Sequence, residues 1–352
     1  MMRLKPLILI LIAAFAAYAG YWYYLAYHAE DRVREMANDL ARSGLEFDYQ
    51  ELDISGFPYR LVLNFKNVGI AYRDGPLRLD WSGPSLQAIL QPWRPGHAVL
   101  FASDSLISLS YRTDRTSAVT IEPRLLSASL RSDNGSGERY SLILEDSRIQ
   151  ALSGSAGEIF ARRAEIHFRS RRLQTVGATV SGLVEPVLAD ISFSISGFGP
   201  GDGRSQGQGQ GNAAPMNEIS VELQPRGRFF PRLTAYSLAA WRDAGSTIDI
   251  GKISARWGNA SVEGDGSVTL DSELQPLGAI SLRTSDPENL LQNMEEAGWI
   301  KSEDRQEAAE TIRLFRELAA PGAPVALAIS LQGGAVTMGP IILAELGALV
   351  PH

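Results

Sequence analysis

Residues 60–66 of the chain have the sequence RLVLNFK, in which Leu61, Leu63 and Phe65 occupy every second position. Successive side chains of a β-strand point to opposite faces, so this spacing predicts a strand with one buried face. The same period of two recurs in residues 107–111, 164–169 and 327–331. We therefore predict a mainly β protein: a long antiparallel meander that forms a curved sheet or two packed β lobes.

Turns between the strands are predicted where glycine stands beside asparagine or aspartate, because these residues adopt the positive φ angles of tight hairpins. The segments of this kind are Arg73-Asp74-Gly75-Pro76, Asp133-Asn134-Gly135, Trp257-Gly258-Asn259 and Gly264-Asp265-Gly266. We expect each segment to lie between two strands, and roughly a dozen or more strands in all.

The segment from residue 7 to residue 27 carries no charge, and its length matches the hydrocarbon core of a bilayer. Its aromatic far end is typical of a membrane boundary, and Arg3 and Lys5 before it favour the cytoplasmic side. We predict a single pass through the inner membrane with the C-terminal domain in the periplasm. The anchor residues that we select are Leu7, Phe15, Tyr21, Trp22 and Tyr27.

A cleaved signal peptide is the alternative for this segment, because Ala17-Tyr18-Ala19 fits a cleavage site. The apolar run continues past that site, which favours the uncleaved anchor. A helical periodicity follows the anchor, and Ser43-Gly44 is expected to end the helix. We predict that this helical segment after the anchor is a stalk that lifts the β portion off the membrane.

Four segments are predicted along the chain. Residues 1–44 are the anchor and stalk, and residues 45–197 are an N-terminal β lobe. Residues 198–217 are rich in glycine and glutamine and are predicted to be a flexible linker, or else a long loop within one domain. Residues 218–352 are a C-terminal β lobe with a helical hairpin at 286–320, in which Asp286 is the N-cap and Pro287 the first helical residue.

Composition and charge argue against several kinds of function. The 352-residue chain has a net charge of −7, which opposes nucleic-acid binding. It has no cysteine, so disulfides, thiolate nucleophiles and cysteine-ligated metals are excluded. Its four histidines are far apart and none has the spacing of metal ligands. We expect no metal, no cofactor and no enzymatic activity.

Single residues offer few candidates for chemistry. His97 is either a ligand or general base, or a loop histidine bonded to backbone, and we favour the second interpretation. Aromatic residues outside the anchor are predicted to pack in the core; these are Phe57, Trp81, Trp93 and Trp241. For the three tryptophans the alternative is a role in stacking on a ligand, and we favour the core.

Arginines are concentrated between residues 162 and 172. On a strand, Arg163, Arg169 and Arg171 would share one face, opposite Arg162 and Arg172. Such a face either meets anionic lipid headgroups or is solvated and paired with carboxylates of the same chain. We favour the second interpretation.

Several clusters of glycine, proline and aromatic residues stand out along the chain: Gly56, Phe57, Pro58, Trp93, His97, Trp257, Gly258, Gly264, Gly266, Gly339 and Pro340. Together they resemble an uncharacterised family of bacterial envelope proteins, the domain of unknown function 2125. The resemblance covers most of the chain and implies no catalytic residue, because the family has no established activity. The Trp-Gly and Gly-x-Gly pattern is also remotely similar to AsmA-like envelope proteins, which implies an anchored β groove linked to lipid transport.

Two functions remain open from the sequence. The first is an apolar groove that binds or guides lipids or other apolar ligands beside the membrane. The alternative is a non-enzymatic structural or protein-interaction module of the cell envelope. The expected partners are the membrane, held through the N-terminal helix, with lipid in the first case and other envelope proteins in the second.

Overall fold

The computed structural model describes residues 4–73, 77–111, 114–133, 137–151, 158–171, 187–200, 216–227, 234–296, 305–320, 323–338 and 341–346. Its helices are α1 (Leu4–Arg42), α2 (Ala235–Asp243), α3 (Pro287–Glu296) and α4 (Arg305–Leu318). Its strands are β1 (Leu45–Asp48), β2 (Glu51–Ser55), β3 (Leu61–Tyr72), β4 (Leu77–Gln91), β5 (Arg94–Ser103), β6 (Leu106–Tyr111), β7 (Asp114–Asp133), β8 (Gly137–Ala151), β9 (Ile159–Ser170), β10 (Ala189–Pro200), β11 (Met216–Pro225), β12 (Ile248–Trp257), β13 (Ala260–Leu270), β14 (Pro276–Thr284), β15 (Val325–Gln332), β16 (Ala335–Met338) and β17 (Ile341–Glu345).

These strands form one antiparallel sheet. β1 and β2 pair with the two halves of β3, which pairs with β4. β5 and β6 together occupy the next position, each paired with β4 and with β7. From β7 to β17 each strand pairs with the next strand in the chain. The prediction of a mainly β antiparallel meander is confirmed.

Helix α1 runs for 39 residues and ends as predicted, with Gly44 in the left-handed conformation at φ 83°. Its second half, however, is not a free stalk. Trp22, Ala29 and Val33 are buried and pack in the same cluster as Leu61 of β3. This half of the helix is therefore packed on the sheet, and the packing begins at the aromatic end of the anchor. That the segment lifts the β portion off the membrane stays a prediction.

The predicted turn at Trp257-Gly258-Asn259 is confirmed, since Gly258 has φ 58° between paired Trp257 and Ala260. The turn predicted at Gly264-Asp265-Gly266 is wrong, because these residues lie in the middle of β13. A Cβ atom on Gly264 would lie 2.3 Å from the backbone oxygen of Ser281 on β14. Close approach of two backbones, rather than a turn, is what requires glycine there.

The two other predicted turns lie partly outside the described residues. β3 ends at Tyr72 and β4 begins at Leu77, and β7 ends at Asp133 and β8 begins at Gly137, so strands flank both segments as expected. Residues 74–76 and 134–136 themselves are not described.

The predicted linker has strand at both of its ends. Residues 198–200 belong to β10 and residues 216–217 to β11, and these two strands pair directly. Residues 201–215 lie outside the described residues. The division into two lobes stays a prediction.

The predicted helical hairpin consists of α3 and α4. The Asp286 carboxylate accepts a hydrogen bond from the Asn289 backbone at 3.3 Å, and Pro287 is the first helical residue, as predicted. Leu291 of α3 packs on Ala308 and Ile312 of α4. Helix α2, which the sequence analysis did not predict, begins at a capping box in which Thr234 and Ser237 bond to each other's backbone.

Candidate functional site

One face of the sheet is apolar from end to end, and we call it the apolar face. The strand register aligns its side chains in three neighbouring rows that cross the sheet. Row one comprises Leu61, Leu90, Ala98, Leu130, Tyr140, Phe168, Ile191, Leu223, Ile250, Gly266, Ile280, Ile329 and Met338. Row two comprises Leu63, Ala88, Leu100, Ala128, Leu142, Ile166, Phe193, Val221, Ile253, Gly264, Leu282 and Leu327. Row three comprises Phe65, Leu86, Ala102, Leu126, Leu144, Ala164, Ile195, Ile219, Ala255, Val262, Thr284 and Val325.

These rows contain no charged residue. Row one crosses thirteen strands, and twelve spacings of about 4.8 Å give it a contour length of roughly 58 Å. A β-bulge in β12 keeps the rows continuous, because it brings both Ile250 and Ile253 to the apolar face. The sheet thus presents an uninterrupted apolar band perpendicular to its strands.

Helices cover this band at its two ends. At one end α1 packs on β1 and β2, and at the other α3 and α4 pack on β13 and β15, where Phe315 joins the cluster of Leu327 and Ile329. Between them, Leu130, Tyr140 and Ile166 are 37%, 38% and 42% exposed. Apolar side chains of the central strands β7 to β9 are therefore open to solvent among the described residues.

A line of bent residues crosses the sheet beside row three, and we call it the crease. Asn67, Asp104 and Asp146 have φ of 48° or 49°, and Gly197 has φ 60°. The strand register places them opposite Pro84, Arg124, Arg162 and Asn217 of the intervening strands. Such left-handed residues bend a strand locally.

The crease keeps apolar side chains on one side of the sheet. Along β3 the buried residues step from Phe65 to Val68, a spacing of three where an undistorted strand would have two. The row beyond the crease is made of mostly small, mostly buried residues: Val68, Gly83, Ser105, Pro123, Ser147, Ala161, Phe198 and Met216. The hydroxyls of Ser105 and Ser147 have no hydrogen-bond partner among the described residues. The crease and the row of small residues beyond it therefore form the border of the apolar band beside row three.

The aromatic end of α1 is fixed to two loops of the sheet. The Trp22 indole donates a hydrogen bond to the Arg60 carbonyl at 2.7 Å, and the Tyr21 hydroxyl donates to the Pro92 carbonyl at 3.2 Å. The Tyr18 hydroxyl bonds to the Pro58 carbonyl. These bonds tie α1 to the segment before β3 and to the turn between β4 and β5.

Phe57 belongs to the same junction. Its ring lies 5.4 Å from that of Trp22 and 5.7 Å from that of Tyr23, and it is 38% exposed. The prediction that Phe57 packs in the core of the sheet is wrong, because it packs on the anchor helix. Gly56 before it has φ 102°, where a Cβ atom would lie 2.8 Å from the Arg60 oxygen, so only glycine fits this bend.

The other aromatic predictions have mixed outcomes. Trp81 is buried, as predicted, and Trp241 is half-buried. Trp93 is 55% exposed at the β4–β5 turn, so its predicted place in the core is wrong. Trp257 is buried, and its carbonyl accepts a hydrogen bond from Asn293 of α3 at 3.0 Å.

His97 lies in strand β5, not in a loop, and its Nε2 is 3.4 Å from the Ser129 hydroxyl rather than bonded to backbone. It borders a cleft of about 290 Å³ on the face opposite the apolar face, with Val99 and Phe101. Gly339 and Pro340 of the family motif lie outside the described residues.

Ion pairs occupy the opposite face of the central strands. Arg163 is 2.7 Å from Glu145 and also bonds Glu165, and Arg171 is 2.6 Å from Asp190. The prediction that these arginines pair with carboxylates of the chain is confirmed for both. Arg172 lies outside the described residues.

Two carboxylates in these pairs, Glu165 and Asp190, have a lowered pKa. The Arg163 and His167 hydrogen bonds hold the pKa of Glu165 below its usual range, and Arg171 does the same to the pKa of Asp190. At the edge of the apolar band, the hydrogen bond to Glu138 raises the pKa of Tyr140 to about 12.

A larger cleft, of about 430 Å³, crosses β8 to β11 among these polar side chains. The register assigns most of its lining to the face opposite the apolar face, including His167, Arg169 and Glu222. The described residues contain no group of three or more histidine, aspartate or glutamate side chains able to hold a metal ion.

Comparison with known proteins identifies the family. A model described as an uncharacterised protein conserved in bacteria (DUF2125) matches residues 22–346. The chain belongs to this family. No curated protein matches the chain, and no solved structure matches it. The similarity to AsmA-like proteins is not shown.

The DUF2125 match begins at Trp22, one of the three residues through which the aromatic end of α1 is bonded to the loops of the sheet. Among the described residues, one helix, Pro6–Arg42, is by length and composition able to cross a membrane. This apolar helix and the β-rich domain together are consistent with a membrane-anchored envelope protein.

Sequence reasoning missed the crease and the junction between α1 and the sheet. The crease has a local signature, the three-residue step from Phe65 to Val68, which an analysis for strict alternation passes over. The junction has none, because hydrogen bonds from Trp22 and Tyr21 to distant carbonyls depend on the tertiary fold.

Proposed function

We propose that this DUF2125 member is an envelope protein that binds or guides lipids or other apolar ligands along the apolar face of its sheet. The observation that carries the proposal is the uninterrupted apolar band, whose central members Leu130 and Ile166 remain open to solvent. The surfaces of soluble proteins seldom carry wide apolar patches, and patches of this kind mark interaction sites. A lipid chain is a ligand whose apolar chemistry matches a long, uncharged band.

The energetics favour such a ligand. Transfer of a methylene group from water to an apolar surface is worth about 0.8 kcal/mol. Ten methylenes on the band would thus gain roughly 8 kcal/mol before the costs of ordering the chain, on the scale of micromolar binding. Longer contact along the band is possible, because the rows continue from β3 to β16.

The anchor supplies access to lipid. With Arg3 and Lys5 on the cytoplasmic side, α1 crosses the inner membrane and the sheet lies in the periplasm. In this arrangement the junction at Trp22 brings the first residues of row one close to the end of the span. A lipid leaving that membrane would reach the band without crossing much water.

The role that we propose is not enzymatic. The apolar rows contain no charged residue, and the carboxylates of the central strands, such as Glu145 and Asp190, are engaged by arginines on the opposite face. Binding without catalysis needs only the apolar surface itself.

Site-specific photocrosslinking tests the proposal with a matched pair of positions. Ile166 and His167 are neighbours on β9 that point to opposite faces. A benzophenone amino acid at position 166, irradiated in intact cells, should give lipid adducts, whereas the same group at position 167 should not. Lipid adducts at neither position, or equally at both, would refute the proposed groove.

The second candidate is a protein-interaction module. Strand β17 pairs with β16 alone among the described strands, and its Ile342 is 62% exposed. An edge strand of this kind can accept a strand of another protein. Protein adducts instead of lipid adducts at position 166, or crosslinks from position 342 to envelope proteins, would favour this function.

A further inference from the structure

Exposed aromatic side chains surround the junction between α1 and the sheet. Phe57, Tyr59 and Trp93 are 38%, 72% and 55% exposed, on the two loops that bond to the helix. Tyr59 lies between Pro58 and Arg60, whose carbonyls accept the bonds from Tyr18 and Trp22. Trp93 directly follows Pro92, which accepts the bond from Tyr21. The backbone that carries the three rings is thus held at the height of residues 18–22 of the helix.

That height lies within the span that a membrane requires. A hydrocarbon core of about 30 Å needs about 20 apolar residues at about 1.5 Å each. Counting from Pro6, the first residue after Lys5, the helix has risen only about 18 Å at Tyr18 and about 24 Å at Trp22. The helix carries no charge from Pro6 to Tyr27, so loops attached at Tyr18 and Trp22 cannot stand clear of the bilayer.

We propose that Phe57, Tyr59 and Trp93 form an aromatic rim that enters the leaflet on the side of the sheet, at the boundary between its acyl chains and its headgroups. The proposal rests on the anchoring part of the proposed function and adds a second contact with the same membrane. Tyrosine and tryptophan favour this region, because there the aromatic ring is removed from water while the hydroxyl or indole N–H group stays hydrated.

Two neighbouring charges fit the same partner. Arg60 and Arg94 adjoin the rim residues Tyr59 and Trp93, and both are exposed. Cations at a bilayer surface are attracted to anionic headgroups. The rim therefore combines aromatic rings with positive charge, which suits a lipid surface containing an anionic phospholipid.

The rim also lies where the apolar band begins. Leu61 and Leu90, the first two members of row one, are two and three residues from Tyr59 and Trp93 along the chain. A rim at the boundary between acyl chains and headgroups would bring this end of the band to the leaflet. The membrane-proximal end of the groove is therefore the end formed by β3 and β4.

Single-cysteine labelling tests the rim, since the natural chain has no cysteine. Full-length Tyr59→Cys and Trp93→Cys carry an environment-sensitive fluorophore in vesicles of phosphatidylethanolamine and phosphatidylglycerol. Lipids with a nitroxide at the headgroup should quench both labels several-fold more than a label at Tyr236→Cys, an 84% exposed position on α2. Phe15→Cys, within the span, serves as the positive control with a nitroxide on the acyl chain.

Three outcomes separate the rim from the anchor. Strong lipid quenching at 59 and 93 supports the rim. If the lipid nitroxide quenches the label at position 15, but the labels at positions 59 and 93 are quenched only by iodide in the aqueous phase, the rim is overturned and the anchor is retained. Loss of the protein from vesicles in an alkaline wash overturns both the anchor and the rim.

Discussion

Substitution of Trp22 tests whether the anchor helix is packed on the sheet. The side chain is 5% exposed, and its indole donates to the Arg60 carbonyl at 2.7 Å. Trp22→Phe keeps an aromatic ring but leaves that carbonyl without this donor, which should lower the free energy of unfolding by about 1–3 kcal/mol. Trp22→Ala also removes the ring from its buried cluster and should cost about 3–5 kcal/mol.

Urea unfolding of the full chain in detergent micelles, followed by the β-sheet circular dichroism signal, measures both losses. Tyr27→Phe is the control on the same helix, because Tyr27 is 80% exposed and its change should stay within about 0.5 kcal/mol. The order of stabilities should be wild type, then Phe, then Ala. A Trp22→Ala protein as stable as the wild type would show that α1 and the sheet are independent, and the reasoning about the junction would fail.

Three further predictions concern the sheet and its helices. A Cβ atom on Gly278 would lie 2.2 Å from the Ser267 oxygen, so Gly278→Ala should cost about 1–3 kcal/mol of unfolding free energy in urea titrations, whereas Gly251→Ala, with no atom within 4 Å, should cost far less. Because the folded-state pKa of Glu165 is lowered, its stabilisation is complete above about pH 4.3, the unfolded value, and is lost as the pH falls through the folded value. Glu165→Gln should therefore lower the urea midpoint more at pH 7 than at pH 3, and an equal loss at both would contradict the assignment. Ile312→Ala should destabilise the α3–α4 hairpin by about 2–5 kcal/mol, seen as faster amide hydrogen exchange in both helices, while exposed Leu314→Ala should leave exchange unchanged.

Much of the sheet was predictable from sequence, because side-chain alternation is a local property of a strand. The period of two at Leu61, Leu63 and Phe65 predicts both the strand and the face that it buries. The cap at Asp286 and the helix end at Gly44 are equally local, since they depend on backbone geometry that one or two residues determine.

Other features depend on partners distant in sequence. Gly264 and Gly266 have the pattern of a hairpin turn, and only the closeness of β14 shows that they serve backbone packing inside a strand. Trp93 and Phe57 are hydrophobic enough for a core, yet their loops project beside α1. The candidate groove was predictable as a one-sided sheet, but its continuity depends on register and on the bulge in β12.

Lipid content of the purified full-length protein tests the central claim most directly. Gentle detergent extraction followed by native mass spectrometry should find lipid on the wild type and on Arg131→Gln, whose side chain points away from the apolar face. Leu130→Gln, which places an amide in row one, should retain markedly less. A wild-type protein that carries no lipid, or equal lipid on all three proteins, would contradict the apolar band as a lipid-binding surface.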